Sequence, residues 1–241
     1  MKYILITGAT SGIGLAAARL LASKGCHLAI CGGHSLERLV KAEQELSSYE
    51  GRILTYFGDC GDKEFVSCMM EDIFRHFPRL DAVINNAAIS HVGLLTDMSC
   101  SQWDELIQTN LSSLFYICRL AVPHMISEKA GKIINISSMW GESGASCEVA
   151  YSASKGGVNS FTKALAKELA PSNIQVNAIS FGVIDTPMNA FLSPEERKAL
   201  EEEIPAGRFG RVEEAAAMIE HLLTATDYLT GQVIRMDGGY L

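Results

Sequence analysis

The chain has 241 residues, 48% of them apolar, which is enough for one domain with a sizeable buried core. Its formal net charge is -8 and its 20 basic residues form no run, so the composition argues against a nucleic-acid partner. Seven cysteines without a Cys-x-x-Cys pair argue against a disulfide scaffold, and the lack of a long apolar run argues against a membrane span, so we expect a cytoplasmic protein.

Seven short runs rich in branched residues alternate with amphipathic stretches. They predict strands at residues 3–7, 27–31, 52–57, 82–85, 132–137, 175–179 and 232–236. Because helices that connect such strands cross over with a right hand, the alternation predicts a parallel sheet with helices on both faces. No linker or repeat interrupts the pattern, so we expect a single doubly wound, Rossmann-type α/β domain over residues 1–241.

The first strand runs into the sequence "TGATSGIG" at residues 7–14. Glycines at positions 8, 12 and 14 permit a tight turn and a close approach to a ligand, because they carry no Cβ atom. A helix beginning near Gly12 would direct free N–H groups at a pyrophosphate. The segment therefore predicts a dinucleotide site, although its spacing differs from G-x-G-x-x-G.

The second strand ends at "AICGGHS", where dinucleotide-binding proteins often place an acidic residue that binds the ribose. No Asp or Glu lies between Gly25 and Ser35, which favours NADP(H) over NAD(H). No Arg or Lys stands at 32–34 either, so Ser11, His34 and Ser35 are the candidate donors to a 2′-phosphate.

Several motifs in chain order resemble those of the short-chain dehydrogenases/reductases. They are "TGATSGIG" at 7–14, "INNAA" at 84–88, Asn110 in "QTNLSSLF", "IINISS" at 133–138, "YSASK" at 151–155 and "VNAISFGVIDTPM" at 176–188. The resemblance extends from Lys2 to "TGQVIRMDGG" near the C-terminus and implies an NAD(P)H-dependent carbonyl reductase.

The "YSASK" segment places a phenol and an ammonium group four residues apart, on one face of a helix. A phenol with an ordinary pKa of about 10 needs a nearby cation to exchange protons near neutral pH. The resemblance implies that Tyr151 protonates the substrate carbonyl, that Ser138 hydrogen-bonds the same oxygen, and that Lys155 also holds the nicotinamide ribose. Asn110 would fix a water that relays protons to Lys155.

The resemblance also implies a set of cofactor contacts, in which residues 7–14 cradle the pyrophosphate and Asp59 meets the adenine. The expected cofactor-binding residues are Thr7, Gly8, Ser11, Gly12, Ile13, Gly14, His34, Asp59, Cys60, Asn86, Ala87, Tyr151, Lys155, Gly182, Ile184 and Thr186. Two positions depart from the family pattern, since Ala88 stands where glycine is usual and Phe181 where proline is usual.

Residues that flank these motifs are expected to surround the substrate. They are Ser90, His91, Trp140, Glu142, Glu148 and Met188. Residues from about 187 to 210 are expected to form a substrate lid, with a helix that is capped by Ser193 and has Pro194 at its first position.

Two branches of the family are candidates for the substrate. "EIPAGRFG" at 203–210 resembles the 3-oxoacyl-[acyl-carrier-protein] reductases of fatty acid synthesis, and this is the favoured branch. An acidic carrier protein would need a basic rim, with candidates Lys129, Lys132, Arg197, Lys198, Arg208 and Arg211. "WGESGASCEVAYSASKG" at 140–156 resembles the elongation factor P 5-aminopentanone reductases, whose cationic ketone would favour Glu142 or Glu148 at the mouth.

Other classes of function have weaker support. A non-catalytic dinucleotide-binding sensor would have no need of Tyr151 and Lys155 beside Ser138. "SASK" at 152–155 fits the S-x-x-K motif of serine hydrolases, but the S-D-N and K-T-G partners do not occur. Cys and His ligands are not clustered, so no metal is expected. Residues 101–127 and 150–170 both carry broad apolar faces. In the family that the sequence resembles, the equivalent helices form a four-helix dimer contact within a tetramer, so the resemblance implies a homotetramer.

Overall fold

A computed structural model describes residues 2–241 and contains one seven-stranded sheet. The strands are β1 Tyr3–Thr7, β2 His27–Gly32, β3 Ile53–Phe57, β4 Ala82–Asn85, β5 Gly131–Ser138, β6 Ile174–Phe181 and β7 Val233–Met236. They lie in the order β3-β2-β1-β4-β5-β6-β7, and every neighbouring pair is parallel. The predicted parallel sheet is confirmed, and the largest boundary difference is at β6, which continues to Phe181.

Helices cover both faces of this sheet. The α-helices of residues 2–241 are α1 Gly12–Ser23, α2 Leu36–Leu46, α3 Lys63–His76, α4 Cys100–Ile107, α5 Ser113–Glu128, α6 Trp140–Ser143, α7 Val149–Leu169, α8 Pro194–Glu203 and α9 Val212–Thr224. Helices α1, α2 and α9 pack on one face with Ile4 and Ile6, whereas α3, α5 and α7 pack on the other with Leu5. Because successive strand residues point to opposite faces, the buried run at β1 supplies both halves of the core.

The stretch 101–127, which is expected to carry a broad apolar face, is not one continuous α-helix. A π-helical turn at Gln108–Ser112 separates α4 from α5 and carries Asn110. Such a turn inserts an extra residue into the helical repeat, which changes the direction of the side chains that follow it.

The expected lid segment contains a short 3₁₀ turn, Pro187–Asn189, followed by α8. The α8 helix begins as predicted, with Pro194 in its first turn. The Ser193 hydroxyl accepts from the Glu196 N–H, and the Glu196 carboxylate accepts from the Ser193 N–H, which together form a capping box.

Within residues 2–241, no helix has both the length and the apolar character needed to cross a membrane. The same residues contain no group of three or more His, Cys, Asp or Glu side chains placed to hold a metal ion.

Candidate active site

A cavity of about 420 Å³ opens at the carboxyl ends of the strands. Its walls come from the segments that follow β1, β2, β3, β4 and β6, from the end of β5 and from α7. In a doubly wound sheet, these carboxyl ends meet at one edge, and a ligand there can contact residues from distant parts of the chain.

The glycine loop after β1 forms the middle of the cavity. Gly8 has a φ of +64°, and a Cβ atom added to Gly14 would lie only 2.3 Å from the Gly8 carbonyl oxygen. The Asn86 side-chain amide donates to the carbonyls of Thr7 and Gly8, both at 3.0 Å, and so fixes the loop against β4. The Thr7 hydroxyl in turn accepts from the N–H groups of Asn86 and Ala87.

The first turn of α1 opens onto this loop. Ser11 precedes the helix in an extended conformation, and its side chain makes no capping hydrogen bond. The N–H groups of the first turn are therefore available to an anion, and the positive end of the helix dipole points toward it. The tight loop and the free helix end fit the pyrophosphate of a dinucleotide.

On one side of the glycine loop, the cavity is formed by the segments after β2 and β3. Gly33 and His34 line it from β2, and Asp59 and Cys60 line it from β3. The Asp59 carboxylate accepts from the Gly61 N–H at 2.8 Å, which shapes the turn after β3. Tyr151 and Lys155 lie on the other side of the glycine loop, as described below. The side formed by the segments after β2 and β3 is therefore the one available for the adenosine half of a dinucleotide.

Ser138, Tyr151 and Lys155 lie together on the opposite side. Ser138 is the last residue of β5, and its hydroxyl accepts from the Trp140 N–H at 3.2 Å. The Lys155 ammonium lies 5.6 Å from the centre of the Tyr151 ring and donates to the Ile136 carbonyl at 2.8 Å. The i,i+4 spacing on α7 thus places the phenol and the ammonium side by side above the end of β5.

Burial perturbs both ionisable groups of this pair. It raises the pKa of Tyr151 to about 12, while the Ser138 side chain opposes the rise and the negative charge of Glu148 adds to it. Burial lowers the pKa of Lys155 to about 8. Tyr151 therefore keeps its proton at neutral pH and can donate it, and Lys155 is a cation whose charge is poorly solvated.

Asn110 is fully buried and does not line the cavity. Its side-chain oxygen accepts from the Ile89 N–H at 2.8 Å, and its amide donates to the Ile89 carbonyl at 2.8 Å and to the Ser154 hydroxyl at 3.2 Å. The Ser154 hydroxyl also donates to the Tyr151 carbonyl. Asn110 thus joins the segment after β4 to the helix turn that carries Tyr151, and the proton-relay water remains a prediction.

Most of the expected cofactor residues line the cavity. The exceptions are Thr7 and Gly14, which hold the glycine loop from beneath. Among the expected substrate residues, Ser90, Trp140, Glu148 and Met188 line the cavity, whereas His91 and Glu142 do not.

The position of Glu142 corrects the expectation that it lies at the cavity mouth. Its carboxylate pairs with the Arg235 guanidinium at 2.6 Å and accepts from the Ser180 hydroxyl at 2.6 Å. The Arg235 hydrogen bond holds the pKa of Glu142 below its usual range. The charge of Glu142 is therefore compensated within the protein.

Glu148 differs from Glu142 because it faces the cavity. Burial raises the pKa of the Glu148 carboxyl, and the hydrogen bond from the Ser90 hydroxyl, at 3.2 Å, opposes the rise. No cation pairs with Glu148 among the salt bridges of residues 2–241. It is an acceptor available to a ligand.

Sequence reasoning missed several residues of the cavity wall, among them Gly33, Gly58, Val92, Glu105 and Thr109. The two glycines follow the ends of β2 and β3, a position from which they could have been predicted. Glu105 and Thr109 reach the cavity through the packing of α4 and the π-helical turn, and their sequence context carries no signal of it.

Comparisons with known proteins agree with this geometry. Residues 2–197 match the family model of the short chain dehydrogenases, and the chain belongs to that family. It is 40% identical to a 3-oxoacyl-[acyl-carrier-protein] reductase FabG of Thermotoga maritima, over 99% of this chain and 97% of the relative. It is 37% identical to the uncharacterized oxidoreductase YmfI of Bacillus subtilis, over 99% and 98% of the two chains.

The crystal structure of YwfH, an NADPH dependent reductase involved in bacilysin biosynthesis, superposes with a TM-score of 0.93. It covers 100% of this chain and 98% of that one at 24% sequence identity, so the likeness shows the fold alone. Family membership makes the protein an oxidoreductase that uses a nicotinamide cofactor.

Proposed function

We propose that the protein reduces a ketone with hydride from NADPH. The observation that carries the proposal is the grouping of Ser138, Tyr151 and Lys155 in the cavity that also contains the glycine loop. A non-catalytic sensor would gain nothing from a half-buried phenol and a buried ammonium beside a serine hydroxyl.

The residues of the site supply the proton and the electrostatic stabilisation. NADPH, when bound, supplies the hydride. The Tyr151 phenol donates its proton to the carbonyl oxygen as negative charge develops there, and the Ser138 hydroxyl donates a hydrogen bond to the same oxygen. The Lys155 cation stabilises the phenolate that remains, and its effect is strong because the site is buried.

The preference for NADPH is supported by the side of the cavity after β2 and β3. The segment after β2 has no carboxylate to repel a 2′-phosphate, and Thr10, Ser11 and His34 line the cavity with polar groups. Titration calorimetry with NADPH and NADH tests this preference without any substrate. Tighter binding of NADH would contradict it.

A 3-oxoacyl thioester on acyl carrier protein is the first candidate substrate. It is supported by the relatives in Thermotoga maritima and Aquifex aeolicus, both 3-oxoacyl-[acyl-carrier-protein] reductases FabG, the latter 38% identical. The mouth also offers exposed apolar side chains to an acyl or thioester arm, because Val92 is 52%, Met188 42% and Phe191 64% exposed.

The expected basic rim gives this candidate less support. Arg197 pairs with Asp185, and Arg208 and Arg211 both pair with Glu214. Lys132 lies near the start of β5, at the opposite end of the sheet from the cavity. These charges are already compensated or are distant from the mouth, which weakens the case for an acidic carrier protein.

A cationic amino-ketone, such as one carried on a modified lysine, is the second candidate. Glu148 favours it, because this carboxylate faces the cavity without a cationic partner in the salt bridges of residues 2–241 and accepts from Ser90. A substrate ammonium would complete an ion pair there. The Glu148 carboxylate is available to a substrate ammonium, whereas the basic side chains expected at the rim are paired with carboxylates or distant from the cavity. The site geometry therefore favours the cationic ketone.

A substrate assay with the Glu148→Gln variant separates the two candidates. NADPH oxidation is followed by absorbance with an acetoacetyl thioester and with a small aminoketone whose amine is quaternary and therefore cannot cyclise onto the carbonyl. If the substrate is cationic, the variant should raise KM for the aminoketone about tenfold and leave the thioester unchanged. Glu195→Gln, an exposed charge on α8, is the matched control.

Rapid turnover of the thioester, with no effect of Glu148→Gln on the aminoketone, would support the carrier-protein substrate instead. If the unmodified protein binds NADPH but turns over neither ketone, that result would contradict the reductase proposal. A cytoplasmic location and a homotetramer remain predictions, and light scattering tests the assembly.

A further inference from the structure

Two cysteines on the β2–β3 side of the cavity stand close together. Cys31, in β2, and Cys60, after β3, have their Sγ atoms 3.5 Å apart, and both residues line the cavity. Their side chains are almost completely buried, with 0% and 4% exposure. The remaining five cysteines take no part in this contact.

The local packing holds the two thiols in this arrangement. The Cys31 thiol also lies 3.7 Å from the Gly58 carbonyl oxygen, and a Cβ atom added to Gly33 would lie only 2.7 Å from that same oxygen, so the segments after β2 and β3 are in close contact. A disulfide needs sulfur atoms about 2.05 Å apart, so the two sulfurs have to approach by about 1.5 Å. Rotation of the two side chains, together with a shift of the segment after β3, would have to supply this movement.

We propose that Cys31 and Cys60 form a reversible disulfide that lowers the affinity of the cavity for its cofactor. Asp59 adjoins Cys60 in the sequence, and His34 follows Cys31 after two glycines, so both of these cavity-lining residues would move with the cysteines. The proposal rests on the use of this cavity by a nicotinamide dinucleotide and is independent of which ketone is reduced.

The oxidant is a peroxide that enters through the cavity. The Cys60 thiolate, at the more exposed of the two cysteines, attacks one oxygen of hydrogen peroxide, the O–O bond breaks, and a sulfenic acid forms as hydroxide leaves. The Cys31 sulfur attacks the sulfenic sulfur and expels a second hydroxide. The two thiol protons convert the hydroxides to water, so two thiols and one peroxide give one disulfide and two waters.

Binding and oxidation should oppose each other. A cofactor that covers the thiols slows their oxidation. Linkage adds an equilibrium relation: the factor by which the disulfide lowers the affinity for the cofactor equals the factor by which bound cofactor lowers the equilibrium constant for disulfide formation. Adjacent buried thiols that only fill space would show neither effect.

The test uses the full chain treated with hydrogen peroxide, which is then removed. Trypsin cleaves after Lys24, Arg38, Arg52 and Lys63, so a non-reduced digest should contain residues 25–38 linked to residues 53–63. The Cys26→Ser variant removes the other cysteine of the first peptide. We expect the NADPH dissociation constant to rise about tenfold, to return with dithiothreitol, and linkage to form more slowly with NADPH present.

The controls are Cys31→Ser and Cys60→Ser, each compared with itself before and after peroxide. Neither should lose NADPH affinity on treatment, whereas Cys68→Ser, which removes an exposed thiol, should respond as the unmodified chain does. The proposal is overturned if peroxide oxidises Cys68 and Cys100 but leaves the pair as thiols. It is also overturned if the linked protein binds NADPH unchanged, or if Cys31→Ser loses affinity equally.

Discussion

Replacing Lys155 by methionine should make the cofactor-free protein more stable at neutral pH, although it removes a residue of the proposed reaction site. Lys155 is 2% exposed, and its pKa is lowered from an ordinary 10.5 to about 8 because burial disfavours its charged form. Keeping the cation inside the folded protein at pH 7 therefore has a cost that an apolar side chain of similar length does not have.

The size of the effect follows from the pKa and from one hydrogen bond. The lowered pKa corresponds to a cost of about 3 kcal/mol, at roughly 1.4 kcal/mol for each pH unit. Methionine also loses the bond from the Lys155 ammonium to the Ile136 carbonyl, worth about 1–2 kcal/mol. The expected net gain in the free energy of unfolding at pH 7 is about 1–2 kcal/mol.

The sign of the pH dependence is fixed by linkage. Between pH 8 and 10.5, the unfolded state holds the Lys155 proton and the folded state has released it, so the unmodified protein gains stability as pH rises. The methionine variant lacks this gain. The amount by which its free energy of unfolding exceeds that of the unmodified protein should therefore fall by about 2 kcal/mol between about pH 7 and about pH 9.5.

Urea unfolding of both proteins at the two pH values measures this change. Lys163→Met, which replaces an exposed lysine on the same helix, is the matched control and should show a difference near zero at both pH values. An advantage of Lys155→Met that stays constant or grows with pH would refute the lowered pKa of the buried lysine.

Three further changes probe the site. Tyr151→Phe should lower kcat, measured by absorbance, by about 10²–10⁴-fold and keep the NADPH affinity that calorimetry measures. The control Tyr228→Phe, at a fully solvated site, should change neither quantity. Undiminished turnover of Tyr151→Phe would contradict Tyr151 as the proton donor. Gly14→Val should weaken NADPH binding at least about tenfold, because the new Cβ atom would meet the Gly8 carbonyl oxygen. Unchanged affinity in calorimetry would be evidence against the glycine loop as the pyrophosphate site. Asn110→Ala should lower the free energy of unfolding in urea by about 2 kcal/mol, because Ile89 loses its partners, and an unchanged midpoint would argue against that clamp.

The sequence predicted the strands and the glycine loop well because their signals are local. Short apolar runs of branched residues mark buried parallel strands wherever they occur, and the structure has all seven. The spacing of Tyr151 and Lys155 is equally local, since helix geometry alone brings residues four apart onto one face. Cavity-lining residues that follow strand ends were predictable because parallel strands place their carboxyl ends at one edge.

Other features depended on contacts between residues far apart in the chain. Glu142 and Glu148 are six positions apart in one segment, yet Arg235, 93 residues further on, compensates only the first. Cys31 and Cys60 meet because β2 and β3 pair in a particular register, and their separation of 29 residues carries no such signal. The charge, burial and reactivity of a side chain depend on its neighbours in space, and only the packing of the folded chain decides which neighbours those are.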